Sequence, residues 1–306
     1  APLSHWAGRR LFCRWTGRAA SLLVALSPWH VFWSQNARHY VFTFAFGIVA
    51  LVAFYEATKD GSVRWALGAL VATAAVVLSH TPAGAFVLGP VAFCWVMALR
   101  DRAWLTRPRR AAALAVYFAP MFALGVVVLA TPALRGGLVS GWGRNAWARS
   151  IPYIVMTYAH GVTLPVLAAA AVGAWGTRPV RAAHVLTVCG LLAPASFFLV
   201  ASLLQNVPGY YLFFTSACAI LLAANAVAWA VGAHPKAGLF GLGLVCAALL
   251  GQNAVYHMAE QGGRAPWREA LREVGDAAAG GDIVYMPLPD IGRHYLAGDG
   301  ELDAPE

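Results

Sequence analysis

The stretch SPWHVFWSQNARHY, residues 27–40, places polar side chains between two long apolar runs. The residues in it that can bind an anion or donate hydrogen bonds are Ser34, Gln35, Arg38 and Tyr40. An arginine guanidinium forks onto two phosphate oxygens and stays protonated, so Arg38 at a lipid–water boundary predicts a lipid-phosphate site. The alternative is an ordinary interfacial turn, in which Arg38 extends to water. Trp29, Trp33 and Tyr40 would then lie in the interfacial aromatic belt.

A second candidate is the segment 132–160, the longest polar connection between apolar runs. Three arginines alternate in it with three aromatic residues, namely Arg135, Trp142, Arg144, Trp147, Arg149 and Tyr153. Residues 145–158 are predicted to form a helix that lies flat on the membrane surface. Two interpretations stay open: a surface anchor, or a flap over a carrier lipid with Arg144 or Arg149 near the phosphate.

The elements that hold these residues are predicted to be membrane-spanning helices. The chain is 60% hydrophobic and 11% charged, whereas a soluble domain carries about 25% charged residues. A spanning helix needs about 20 mostly apolar residues. About nine segments approach that length: 19–34, 41–56, 65–80, 83–99, 111–131, 161–177, 182–203, 211–232 and 238–257. The sequence therefore predicts an all-α polytopic membrane protein.

The distribution of basic residues gives the orientation of these spans. If residue 1 is cytoplasmic, 14 of the 22 Lys and Arg residues fall on the inside, four fall in outside loops, and four lie in the C-terminal tail. This asymmetry follows the positive-inside rule. The net charge of +9 then reflects orientation towards anionic membrane lipid, and we expect no nucleic-acid partner.

The chain is predicted to divide into a transmembrane domain, residues 1–257, and an extracytoplasmic tail, residues 258–306. Trp267, Leu271 and Val274 in the tail share one helical face, and DIVYM (282–286) is typical of a strand. A small α/β appendage is expected. It holds ten of the 13 Asp and Glu residues, while the outside loops hold none.

The cysteines are not expected to bind metal or to form disulfides. None of the five lies in the tail, and no CxxC pair occurs. A small apolar packing role explains them.

The 27–40 stretch resembles the SPFH–aromatic–SQ–x–AR–x–Y segment of bacterial membrane glycosyltransferases of the protein O-mannosyltransferase and aminoarabinose-transferase type. The matching positions are Ser27, Pro28, His30, Ser34, Gln35, Ala37, Arg38 and Tyr40. Asn36 stands where those enzymes usually have Glu, and His39 where Met is frequent, so no acid role passes to position 36. The resemblance implies a GT-C fold and a polyprenyl-phosphate sugar donor.

Weaker similarities follow along the chain. LSHTPAGAFVL (78–88) resembles the next outer turn of that family and adds His80 to the expected substrate-binding residues. VPGYYLFFTSACAILLAANA (207–226) resembles a span that often begins Pro-Arg-Tyr, with Gly209 in place of the arginine. PWREALREVGDAAAGGDIVY (266–285) resembles the helix and strand that follow the last span.

The family usually places its catalytic acid in a first outer loop, between two spans that would precede residue 1 here. The start without Met and the acid-free outer loops lead us to expect that this chain lacks those helices and that loop. The alternative is a complete protein that is not catalytic. The catalytic residue is therefore unknown from this chain. A divalent ion is compatible with such a reaction, but this chain shows no ligand set for one.

The function expected from the resemblance is transfer of a sugar from a polyprenyl-phosphate donor to an acceptor at the outer face of the cytoplasmic membrane. Two alternatives stay open, a transporter or flippase of a lipid-linked substrate and a glycan polymerase or ligase. A transporter should show paired halves or ionisable residues at mid-membrane, and the sequence shows neither.

The orientation is testable by cysteine labelling in intact cells. Because the basic residues divide 14 to four between the two sides, cysteines introduced at Ser62 and Thr106 should be shielded from an impermeant thiol reagent. A cysteine at Ser140 should be labelled. Labelling at position 62 would contradict the predicted orientation.

Overall fold

The structure, a computed structural model, describes residues 1–35, 39–131, 151–176, 181–204, 207–258 and 273–274. Within these ranges the regular elements are helices, and no strand occurs. The predicted strand at 282–286 and most of the predicted tail helix lie outside the described residues. The long apolar helices make the chain an all-α polytopic membrane protein.

Twelve α-helices and two 3₁₀ segments occur in the described part of the chain. The α-helices are α1 (Pro2–Leu11), α2 (Arg14–Leu26), α3 (Pro28–Gln35), α4 (Tyr40–Asp60), α5 (Val63–Ser79), α6 (Leu88–Arg100), α7 (Pro108–Ala130), α8 (Ile151–Val162), α9 (Leu164–Gly176), α10 (Ala182–Leu204), α11 (Ser216–Ala233) and α12 (Pro235–Met258). The 3₁₀ segments are Thr81–Val87, which leads into α6, and Gly209–Thr215, which leads into α11.

Six helical segments of the described chain are long and apolar enough to cross a membrane. They are Tyr40–Asp60, Thr81–Arg100, Pro108–Val127, Ala182–Leu203, Gly209–Ala233 and Pro235–Met258. They coincide with six of the nine predicted spans.

The other three predicted spans are not confirmed, for three local reasons. The span at 19–34 is divided between α2 and α3, because Pro28 has no amide hydrogen to continue a helix. The span at 65–80 is α5, which has 17 residues. The span at 161–177 is interrupted at Thr163, whose φ of 79° turns the chain by 94° between α8 and α9.

The core of the first compact unit, residues 1–254, lies around two spans. The span Tyr40–Asp60 is 67% buried and Gly209–Ala233 is 83% buried, whereas Pro108–Val127 and Pro235–Met258 are 17% and 11% buried. The core is therefore formed around α4 and α11, with α7 and α12 at its edge. The second unit, residues 255–306, includes the end of α12, where the Tyr256 and His257 rings lie 4.9 Å apart.

Charged side chains fix the end of the bundle where α4 stops. Arg110 donates one hydrogen bond to the Thr58 carbonyl (2.7 Å) and another to the Trp104 carbonyl (2.9 Å). Its guanidinium lies 4.6 Å from the centroid of the Trp104 ring. Arg110 thus joins the end of α4, the loop at 101–107 and the start of α7.

Arg110→Met should destabilise the protein, because two buried carbonyls would lose a charged donor. Hydrogen bonds to charged groups contribute about 1.5–3 kcal/mol each, so we expect the free energy of unfolding in detergent to fall by about 3–6 kcal/mol. Arg100→Met, at an exposed position outside this contact set, is the matched control. Equal effects of the two substitutions would show that Arg110 is not a structural residue.

Candidate functional site

The polar stretch 27–40 begins at a break between two helices. Ser27 is extended, with φ −69° and ψ 119°, and Pro28 begins α3. The last carbonyls of α2 cannot find partners within the helix. Asn253 on α12 donates from Nδ2 to the Leu26 carbonyl at 2.6 Å, which satisfies one of them. The neighbouring Gln252 donates to the His160 carbonyl of α8 at 2.9 Å, so two successive amides of α12 hold both segments.

Beyond the break, an aromatic cluster joins three distant parts of the chain. Its members are Trp29, His30, Trp33, Tyr40, Phe44, His80, Tyr210, Tyr211 and Phe213. Phe213 is 1% exposed, and its ring centroid lies 5.2 Å from that of Trp29 and 5.0 Å from that of His30. The Trp29–Phe213 contact is edge-to-face, and contacts of this kind add about 0.5–1.5 kcal/mol to simple burial. The cluster therefore fixes α3 and the start of α4 against the 3₁₀ segment before α11.

Tyr40 and His80, two predicted binding residues, are brought together in this cluster. Their ring centroids are 5.0 Å apart, and Tyr211 lies 4.9 Å from His80 on another side. The His39 ring stacks on His80 at 4.7 Å with an interplanar angle of 22°. Burial, and next the nearby His39, lowers the pKa of His80 to about 4, so His80 is neutral at pH 7.

A buried polar atom from each of two side chains in the cluster has no hydrogen-bond partner in the described part of the structure. These atoms are Trp33 Nε1, which can only donate, and His80 Nε2. Trp33 is 6% exposed, and an unsatisfied buried donor costs about 1–3 kcal/mol. Buried polar atoms that have no hydrogen-bond partner and lie among aromatic rings are typical of a binding site for a polar ligand.

Ser34 and Gln35 lie at the exposed end of α3. The Ser34 hydroxyl donates to the Val31 carbonyl in its own helix at 2.8 Å. The other predicted binding residues, Arg38, Arg144 and Arg149, lie outside the described residues, as does Asn36. The predicted surface helix at 145–158 is described only from Ile151, where α8 begins.

Helix α8 packs on the cluster through its last two turns. The Tyr158 hydroxyl and Thr215 Oγ1 are 3.0 Å apart and hydrogen-bonded, and the Tyr158 ring lies 5.8 Å from that of Trp29. A Cβ added to Gly161 would overlap the Trp29 indole. The small residue at 161 therefore lets the indole lie directly on the backbone of α8.

Gly209 occupies the position where the glycosyltransferases that the sequence resembles often have arginine. A Cβ built on Gly209 would lie 2.5 Å from Thr157 Cβ, far inside van der Waals contact. The close approach of α8 leaves no space for any side chain at position 209. An arginine contact with phosphate cannot be made from this position in this chain.

The cluster has no carboxylate among the described residues. In the first compact unit the acids that the structure describes are Glu56, Asp60 and Asp101, at the end of α4 and in the loop after α6. No group of three or more His, Cys, Asp or Glu residues in the described chain could hold a metal ion. The described residues can therefore stack against a ligand and hydrogen-bond it, but they offer neither an acidic general base nor a metal site.

Sequence reasoning missed most of the cluster. The aromatic residues of GYYLFF, residues 209–214, indicate such a cluster. The apolar character of this segment, taken alone, predicts only a membrane span. No known protein family, curated protein or solved structure matches this chain. The resemblance to membrane glycosyltransferases therefore rests on the motif residues of this sequence alone.

The close contact at Gly209 can be tested by adding a single methyl group. Gly209→Ala should lower the stability of the purified protein by about 1–3 kcal/mol, as overpacking does, and thermal unfolding in detergent measures it. Gly232→Ala is the control, because nothing lies within 4 Å of its added Cβ and alanine favours a helix by up to about 1 kcal/mol. A neutral Gly209→Ala would contradict the contact with Thr157.

Proposed function

We propose that this chain is the carrier-binding part of a GT-C-type glycosyltransferase that uses a polyprenyl-phosphate sugar. One observation supports it most. The three segments that resemble the family, 27–40, 78–88 and 207–226, are far apart in sequence, yet residues of all three meet in the aromatic cluster. If the three segments bind one substrate, their residues must meet at one site, and in this structure they do.

In the proposed reaction the bond between the sugar's anomeric carbon and the carrier phosphate breaks, and a bond to the acceptor oxygen forms. Arg38 would bind the departing phosphate, where its charge stabilises the developing negative charge. Ser34 and Gln35, at the exposed end of α3, would add hydrogen bonds. The acceptor proton would go to a carboxylate that the described residues of this site do not supply.

The aromatic cluster would receive the sugar and the first isoprene units. Tyrosine and tryptophan faces suit both, because they combine apolar area with a polar edge. The unpaired Trp33 Nε1 donor and the neutral His80 ring would then bond sugar hydroxyls. Arg144 and Arg149 would lie in a flap over the phosphate.

The proposal also includes the number of membrane segments and their orientation. The divided α2–α3 segment, the shorter α5 and the bent α8–α9 pair would complete nine membrane segments. The start of α1 would face the cytoplasm, and the aromatic cluster and C-terminal tail the opposite side of the inner membrane. The excess of Lys and Arg at one side supports this orientation.

A flippase of a lipid-linked substrate is the second candidate, and one observation favours it. Helices α8 and α9 meet at 94°, and interrupted helices line substrate sites in many transporters. This alternative predicts movement of the lipid across the bilayer without cleavage of the sugar.

Arg38 is the residue whose substitution tests the proposal. In full-length protein in membranes, Arg38→Ala should reduce sugar transfer from a panel of polyprenyl-phosphate hexoses by an amount equivalent to about 2–4 kcal/mol, as loss of one preorganised donor does. Arg38→Lys keeps the charge but loses the two-pronged geometry, so its activity should be intermediate. Expression is matched by immunoblot.

Arg64→Ala, an exposed arginine near the start of α5, is the control and should retain transfer. Wild-type transfer by Arg38→Ala would remove Arg38 from the site. Transbilayer movement of a fluorescent polyprenyl-phosphate sugar in vesicles, with no transfer to any acceptor, would favour the flippase.

A further inference from the structure

Two cavities open at the end of the bundle opposite the aromatic cluster, and Lys59 lines both. One, of about 460 Å³, lies between the end of α4 and the start of α7 and includes Gly61 and Arg109 in its wall. The other, of about 470 Å³, lies between α4 and α1. Both volumes fall in the range of about 300–1,000 Å³ that is usual for small-ligand sites. We call the two together the basic cradle.

The walls of the cradle are held rigidly. Arg110 is bound to two carbonyls, as described above, and Arg10 Nε donates to Glu56 Oε1 at 2.7 Å. Gly61 adopts a left-handed conformation, with φ 64°, and a Cβ there would lie 2.7 Å from Arg109 Cβ. The turn after α4 is thus pressed against α7, which fixes the position of Arg109 beside Lys59.

The cations at the rim are not used by the fold. Lys59, Arg109 and Arg9 are exposed, and none of them makes a hydrogen bond or ion pair with the described residues. Glu56 differs, because it is 1% exposed and is paired with Arg10. The first cavity is also lined by Asp60, which offsets one of its basic residues. The basic residues still outnumber the acids around both cavities, so the cradle carries net positive charge, which is the chemistry of an anion site.

The surface beside the cradle is apolar. Leu3 and Trp6 of α1 are 40% and 36% exposed, and Val63 and Leu67 of α5 are 42% and 48% exposed. Trp6 also lines the second cavity. Exposed tryptophan and leucine next to exposed arginine are typical of the lipid headgroup level, whereas a site for a soluble anion does not need them.

We propose that the basic cradle binds the phosphate of an anionic phospholipid from the adjoining leaflet. Lys59 lies between the cavities and contacts the phosphate from one side, and Arg109 contacts it from the other. The acyl chains lie along the exposed faces of α1 and α5. This site is independent of the aromatic cluster and of the glycosyltransferase proposal.

Native mass spectrometry of the full chain in detergent tests the assignment, with phosphatidylglycerol and phosphatidylcholine as probes. Wild type should retain phosphatidylglycerol in preference to phosphatidylcholine. K59Q/R109Q should weaken phosphatidylglycerol binding by about fivefold to thirtyfold, since each basic residue at an anionic lipid surface contributes about a fivefold effect. R64Q/R100Q removes two exposed cations that line neither cavity and should leave binding unchanged. Matched unfolding temperatures establish that both variants are folded.

Three results would overturn the proposal. Equal loss in the two double variants would mean that only general surface charge attracts the lipid. Equal retention of the two lipids by wild type would mean that the cradle does not recognise an anionic headgroup. Binding of glycerol 3-phosphate as tight as that of phosphatidylglycerol would identify a soluble-anion site.

Discussion

A helix that stops within an apolar environment leaves carbonyl groups that only protein can satisfy, and this constraint governs one end of the molecule. Helix α2 stops at Leu26, and the amide of Asn253 binds the carbonyl of that residue at 2.6 Å. Because the break is stabilised in this way, α3 begins as a separate helix at Pro28. Its Trp29 and Trp33 are buried and belong to the aromatic cluster.

The same helix, α12, holds α8 through the adjacent Gln252. Two neighbouring amides on an otherwise outward-facing helix therefore place both segments that flank the cluster. Tyr158 and Gly161 of α8 then contact Thr215 and Trp29. Polar contacts set the positions of the segments, and aromatic packing fills the space between them.

The two ends of the bundle use different chemistry. The cluster end is aromatic, with a histidine that is neutral at pH 7. The cradle end has arginine, lysine and a buried glutamate that is paired with Arg10. A ligand with stacking surfaces and hydroxyl groups suits the first end, and a phosphate bound by charge suits the second.

Much of this arrangement follows from hydropathy, and the exceptions have physical causes. The long spans were predictable because apolar length determines them. The bend at Thr163 was not, because a β-branched residue with positive φ is stabilised only by tertiary packing. In the sequence, Arg110 contributes only to the count of basic residues that gives the orientation. The two carbonyl groups that it binds cannot be predicted from a sequence pattern. Tyr40 and His80 were grouped by resemblance, whereas Trp33 and Phe213 were hidden among apolar residues.

Helix α4 runs from Tyr40 in the cluster to Lys59 in the cradle without a proline. Its 21 residues make a rod of about 30 Å, at 1.5 Å per residue. One continuous helix therefore separates the two sites by about the hydrocarbon thickness of a bilayer. A lipid-linked ligand at the cluster and a phospholipid at the cradle would belong to opposite leaflets.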